Sequence, residues 1–208
     1  MVGVGMGFIH LQVRSAYSLL NSSIKIRDLV RLAQSESLSC LALVEDGTMH
    51  SAIKFYTACQ KAKIKPIIGM TVNVLGETFW DEWTLLAKNQ KGYQALLKLA
   101  SFNAQQDGSL SIDQVSLFAD DLVVVTSGEK GRLVELVEQE NYEGLMEYFE
   151  HYLSVFPDLS IGLLRVDQRT YELSLRLVET AKVFQRPVVA LNDVRYLKRT
   201  SFRATTGR

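Results

Sequence analysis

The stretch Phe8-Ile-His-Leu-Gln-Val-Arg-Ser-Ala-Tyr-Ser18 decides how the rest of the chain is read. Phe8 to Val13 is a short apolar run leading into a polar turn, and it reads as a strand. At period two, His10, Gln12 and Arg14 leave one face of such a strand. Three nitrogen-bearing groups in a row at a strand's end point to a site. Of the three, His10 is the good metal ligand, because a guanidinium keeps its proton and an amide seldom ligates. The layout is that of a site, and its chemistry does not match a metal centre.

Working outward, the chain's 208 residues, 47% of them hydrophobic, suffice for one substantial core. Lys+Arg and Asp+Glu balance at 23 each, so no global field recruits nucleic acid or an anionic membrane, although a local basic patch is compatible with that balance. Cys40 and Cys59 lie in apolar surroundings without metal-ligand spacing, which suits buried thiols in a reducing, cytoplasmic setting. No run reaches transmembrane length and no signal-like segment precedes the fold, so no membrane partner is expected. Residues 1–7 are glycine-rich and read as a flexible N-terminal segment or an added one. Residues 200–208 lack apolar periodicity and read as a truncated end or linker.

After the first strand, Leu19-Leu-Asn-Ser-Ser23 offers helix-capping residues. Ile26, Leu29, Val30 and Ala33 then form one apolar helical stripe. Ser39 to Val44 suits a strand buried on both faces and ends in Glu45-Asp46-Gly47. A helix with Ala52, Phe55, Tyr56, Cys59 and Ala62 inward precedes a third strand, Lys65 to Val74. Leu75 to Asp81 is too short for a helix, so Glu82 to Lys88 is expected to return as a hairpin partner. Next come a helix over Gln90–Asn103 with Tyr93, Leu96, Leu97 and Ala100 inward, and a polar loop from Gln105 to Ser111. A buried strand is expected over Asp121–Thr126, followed by helical patterns at Leu133, Leu136 and Val137 and at Leu145, Phe149 and Tyr152. The series closes with a strand over Leu159–Val166, a helix over Gln168–Phe184, and a buried strand over Pro187–Leu191. Seven strands interleaved with helices imply an α/β fold with a largely parallel sheet, open or closed. Its sites are expected at the strands' carboxyl ends, where His10, Glu45, Asp46, Met70, Thr71, Asp193 and Arg195 fall, in reach of one pocket.

Four stretches, FIHLQVRSAYSLLNSS, LALVEDGTMHSAIKFYTACQKAKIKPIIG, LLAKNQKGYQALLKLAS and ALNDVRYLKR, resemble the PHP (polymerase and histidinol phosphatase) domain. The resemblance is to the version found at the N-terminus of bacterial DNA polymerase III α subunits of the DnaE type, and it extends over residues 8–199. It implies a single-domain, distorted (β/α)7 barrel within a DNA-directed DNA polymerase, a nucleotidyltransferase of DNA replication. The remainder of that subunit, other replisome proteins and DNA through the parent enzyme are the implied partners. In metal-binding members the pocket holds a cluster ligated by histidines and carboxylates. Here His10 matches the first histidine, while Gln12 and Arg14 stand where two more are found. Glu45 replaces an aspartate, Asp46 a histidine, and Thr71 stands near the place of a glutamate. Gly162 falls where a carboxylate occurs, Asp193 is retained, and Arg195 replaces the final histidine.

Two guanidinium groups where two metals would sit oppose metal occupancy by Coulomb repulsion. They are expected instead to pair with Glu45, Asp46 and Asp193, leaving a non-catalytic scaffold with no resident cofactor. Two alternatives stand beside this. One is a metal-dependent 3′-5′ exonuclease or phosphoesterase holding Zn or Mn through His10, Glu45 and Asp193. The other is a DNA-binding module using Arg14 and Arg195. For single residues the commoner fates are plainer: a hydrogen-bonded core position for His10, capping or turn roles for Glu45 and Asp193, and solvated helix positions for His50 and His151. Tyr93 is expected to pack on an amphipathic helix whose solvated face carries Lys98.

Overall fold

A computed structural model describes residues 9–18, 21–76 and 79–197. The expectations for residues 1–7, Phe8, Leu19, Leu20 and 200–208 lie outside them. The frame is a ring of strands. β1 (Cys40–Asp46) pairs in parallel with β2 (Lys65–Leu75), which turns back through the antiparallel β3 (Trp80–Ala87) as the hairpin reading required. A short β4 (Ser109–Ser111) lies in what reads as a polar loop and pairs with the far end of β2, off the ring. β3 pairs with β5 (Leu122–Thr126), and β6 (Ile161–Leu164) with β7 (Val188–Leu191).

Two isolated bridges close the ring. Val125 meets Ser160, the residue before β6, and Val13 meets Val194, just after β7. The Val44 amide donates to the Val13 carbonyl at 2.8 Å, tying the same residue to β1. Residues 12–14, β1, β2, β3, β5, β6 and β7 are therefore seven staves of a distorted α/β barrel. The first stave is not the regular strand expected over Phe8–Val13. Its described backbone alternates between β1 and residue 194 through single hydrogen bonds and then turns at Ser15–Ser18.

Helices cover the outside. They are α1 (Ile26–Ser35), α2 (Ala52–Ala62), α3 (Gln90–Gln105), α4 (Ile112–Ser116), α5 (Arg132–Glu138), α6 (Tyr142–Val155) and α7 (Gln168–Val183). The α1 stripe of Ile26, Leu29, Val30 and Ala33 is the buried face expected, but Lys25 precedes it without a side-chain cap. Asn21 and Ser22 are used elsewhere: Asn21 reaches Asp46, and Ser22 donates to the Arg14 and Arg195 carbonyls. Tyr56 and Leu97, read as inward, are exposed, because Ala52, Phe55 and Cys59 fill the inner stripe of α2 and Ala95, Leu96 and Leu99 that of α3. β7 is buried at Leu191 alone, since among the described residues no helix follows to cover it.

Strand alternation divides the core. Outward residues such as Trp83, Leu85, Met70 and Val72 pack with Tyr152, Phe149 and Phe156 beneath the helices. Val125, Leu164 and Leu191 form a small apolar cluster flanked by Val123 and Val189. The inward positions nearer the strand ends are polar, and these make the site.

Candidate functional site

At the strand ends lies a cavity of about 350 Å³ lined by Gln12, Arg14, Asp46, Thr71, Asp193 and Arg195, among others. Register explains the gathering. Asp46 faces Thr71 across the β1–β2 ladder, while Thr71 pairs with Thr84 of β3. Gln12 reaches Thr84 at 3.4 Å, and the buried Thr71 hydroxyl has no hydrogen-bond partner among the described residues. The wall also carries the ion pair Lys130–Glu82 at 2.8 Å, Asn73 and Asn103, which the sequence reading passed over. Glu82 was visible as an inward position of the β3 alternation; Lys130 sits in a loop without period.

Arg14 is the centre of this pocket. It is 4% exposed, and its Nε donates to Asp193 Oδ1 at 2.6 Å while Nη1 abuts the Asp46 carboxylate as an ion pair. Arg195 holds the other Asp193 oxygen through Nε at 2.7 Å and Nη2 at 2.6 Å. Burial pushes the Asp193 carboxyl up, but hydrogen bonds from Arg195 and Arg14 and their charges outweigh it and hold the group below its ordinary value. Asp193 sits at φ +25°, an unusual backbone for a non-glycine residue, with its neighbour Val194 hydrogen-bonded to Gln12 and Arg14 of the first stave and Asn192 to His10 just before it.

Glu45 does not join the network. Alternation turns it to the outer face of β1, away from Asp46, and it is 2% exposed. There Oε1 accepts from the Ser15 and Ser51 hydroxyls, and Oε2 from the Ser18 hydroxyl and the Ser15 amide. Four donors fill the four acceptor positions of one carboxylate. Met70 likewise faces outward into the helix layer, so neither it nor Glu45 lines the pocket. His10 is exposed rather than in the core, with Nδ1 3.1 Å from the Asn192 amide nitrogen. The set His10, Glu45 and Asp193 is thus not assembled. His151 is exposed on α6, as read; His50 is exposed too, but in the turn before α2 rather than on a helix, and Tyr93 is half-buried on α3 with Lys98 on its exposed side. At Gly162 a Cβ would stand 2.1 Å from the Thr126 carbonyl oxygen, so the close approach of β5 and β6 leaves no room for a side chain there.

The PHP domain model matches residues 10–163. The chain belongs to the PHP domain family. It is 35% identical over 93% of its length to the DNA polymerase III subunit alpha of Bacillus subtilis, and 31% identical over 94% to that of Buchnera aphidicola. It spans 18% of the length of each. Among solved structures, a candidate metal-dependent phosphoesterase from Bifidobacterium adolescentis superposes with TM-score 0.60 at 12% identity, covering 90% of this chain and 87% of that one. An amidohydrolase from Chromobacterium violaceum superposes with TM-score 0.58 at 10% identity, covering 91% and 88%. These two matches show a shared fold.

The donor set of this PHP domain does not fit a metal cluster. Such a cluster needs several neutral imidazoles and carboxylates free to bridge ions. Here a permanent cation stands between Asp46 and Asp193, and Glu45 has no acceptor position left. Among the described residues no three His, Cys, Asp or Glu side chains are placed to hold a metal ion.

Proposed function

We propose that residues 8–199 are the PHP portion of a bacterial DNA polymerase III α subunit of the DnaE type, acting as a non-catalytic scaffold. Identities of 31–35% over nearly the whole chain support the parent. In that setting the cytoplasmic replisome, the rest of the subunit and, through it, DNA are the partners. The single observation behind the scaffold reading is the buried Arg14 guanidinium shared by Asp193 and Asp46. It takes over the neutralising role that cations would have among these carboxylates. It also ties the first stave to the end of β1 and to the segment after β7, which is the barrel's seam. The pocket in this reading is a structural joint rather than a phosphoesterase centre.

The test is metal content. The protein is incubated with Zn²⁺ or Mn²⁺, dialysed exhaustively and analysed by elemental analysis, with thermal stability followed in parallel. A small fraction of an equivalent and unchanged thermal stability are expected. Binding near one equivalent, with the rise in stability that a native-state ligand confers and with loss on His10→Ala, overturns the scaffold reading.

A further inference from the structure

Away from the pocket, a second cavity of about 570 Å³ opens between α2 and α3, over the start of β2 and the end of β3. Its floor and rim are apolar: Ile67, Ile68, Ala87 and Tyr93 are half-buried, while Ile53 and Tyr56 stand one helical turn apart, 72% and 49% exposed. Adjacent exposed apolar side chains of this size on an otherwise polar surface mark a contact site. The flanks are basic. Residues 47–76 carry Lys54, Lys61, Lys63 and Lys65, residues 83–106 carry Lys88, Lys91 and Lys98, and neither stretch contains an Asp or Glu. All seven lysines are exposed; Lys65 and Lys88 line the groove itself, Lys88 being paired with Asp158 at 2.9 Å, while Lys54 turns to the Tyr17 hydroxyl. In a chain whose formal net charge is zero, the lysines left without an acidic partner, Lys65 and Lys91 beside the groove among them, make a local positive field.

We infer that the α2–α3 groove docks an acidic peptide segment of a partner protein, with apolar anchors entering between Ile53, Tyr56 and Tyr93 and carboxylates facing the lysine rim. Charge complementarity selects this occupant. A second copy of the chain would bring one lysine-rich face against another, and the repulsion opposes a symmetric pairing. A duplex nucleic-acid backbone would use the lysines and leave the apolar floor unused, and a single strand stacking on Tyr56 and Tyr93 would leave Ile53 and the Ile67–Ile68 floor without partners. A short helix or extended segment with alternating acidic and apolar residues uses both.

The probe is a random peptide library displayed on phage, selected against the 208-residue chain. Recovered peptides are expected to be enriched in Asp and Glu together with Leu, Phe or Trp, to compete with one another, and to weaken as salt rises. Their affinity is expected to fall by about tenfold or more, roughly 1.4 kcal/mol, with Ile53→Asp and separately with Lys65→Glu combined with Lys91→Glu. All three positions are exposed, so circular dichroism and melting should match the parent. Recovery of no binders, peptides without acidic enrichment, or binding indifferent to Ile53→Asp overturns the inference. So does a single-stranded oligonucleotide that displaces the peptides, or self-association that Ile53→Asp abolishes.

Discussion

Replacing Arg14 by Met keeps most of the buried stem and removes the charge and the fork of donors, so Arg14→Met isolates the joint's electrostatics. Removing one partner of a buried ion pair costs about 3–5 kcal/mol because the other charge is left uncompensated. Here the partners are less enclosed than the arginine, with side-chain exposures of 24% for Asp193 and 34% for Asp46, so water recovers part of that cost. Arg195 also still holds Asp193. A loss of about 2–3 kcal/mol near pH 7 follows, at the low end of the buried range. Its pH dependence has a definite sign. Asp193 is held below its ordinary value in the folded protein, so it contributes stability above the carboxyl's unfolded value of about 4 and loses it as pH falls through the lower folded value. In the parent, stability should drop on acidification through that window; in Arg14→Met the drop should be smaller. Urea unfolding, read by tryptophan fluorescence through the buried Trp83, measures both. A variant within about 0.5 kcal/mol of the parent at pH 7, or one equally destabilised at pH 7 and below the window, would refute the joint.

Two further predictions use the same assay. Glu45→Ala leaves three hydroxyls and an amide without their acceptor and should cost about 3 kcal/mol or more, whereas Glu45→Gln, which turns one acceptor into a donor, should cost about 1–3 kcal/mol; equal, negligible effects would mean the serine cage is not formed. Burial among Tyr148, Trp83 and Tyr152 pushes the Asp81 carboxyl from 3.8 up to about 7, with the Tyr148 hydroxyl and the Leu133 and Arg132 amides only partly opposing it. Between about pH 4 and 7 the folded state then keeps a proton that the unfolded chain has released, so parent stability should fall as pH rises through that window, and Asp81→Asn should remove up to about 4 kcal/mol of that slope; an unchanged slope would sink the argument.

What could be read from the sequence was whatever carried a period or a continuous run. Cys40–Val44 and Leu122–Val125 are apolar throughout because both faces of those strands are covered, and the α1 stripe maps onto its buried face residue by residue. The first stave was misread because its order comes from single bonds across a seam, which leave no periodic mark. Glu45 and Asp46 show a different failure. They are adjacent acids at a strand tip and invite one assignment, yet period two sends one to the serines outside and the other to Arg14 inside. Ser15 and Ser18 were present in the quoted stretch, and Ser51 lies beyond it, but hydroxyl donors near a turn are too common to announce a cage. Ile53 and Tyr56 required the packing itself, because α2 has too many apolar positions for its stripe to hold.

Three separate features set this pocket's donors against a metal cluster. Arg14 places a fixed cation between Asp46 and Asp193, and Glu45 is turned outward with all four acceptor positions taken by Ser15, Ser18 and Ser51. A single change toward histidine at position 14 would remove the first and leave the second untouched. Freeing Glu45 would leave buried hydroxyls without an acceptor and still would not bring it to the inner face. At the position of Gly162, the 2.1 Å approach to the Thr126 carbonyl blocks a third ligand for a backbone reason. Each obstacle is also a structural contribution: the cation spans the barrel seam, the serine cage anchors the turn that follows the first stave to β1, and the glycine lets β5 and β6 meet. A metal site built on these positions would require giving up all three contacts together, and that cost is what favours the proposed scaffold reading.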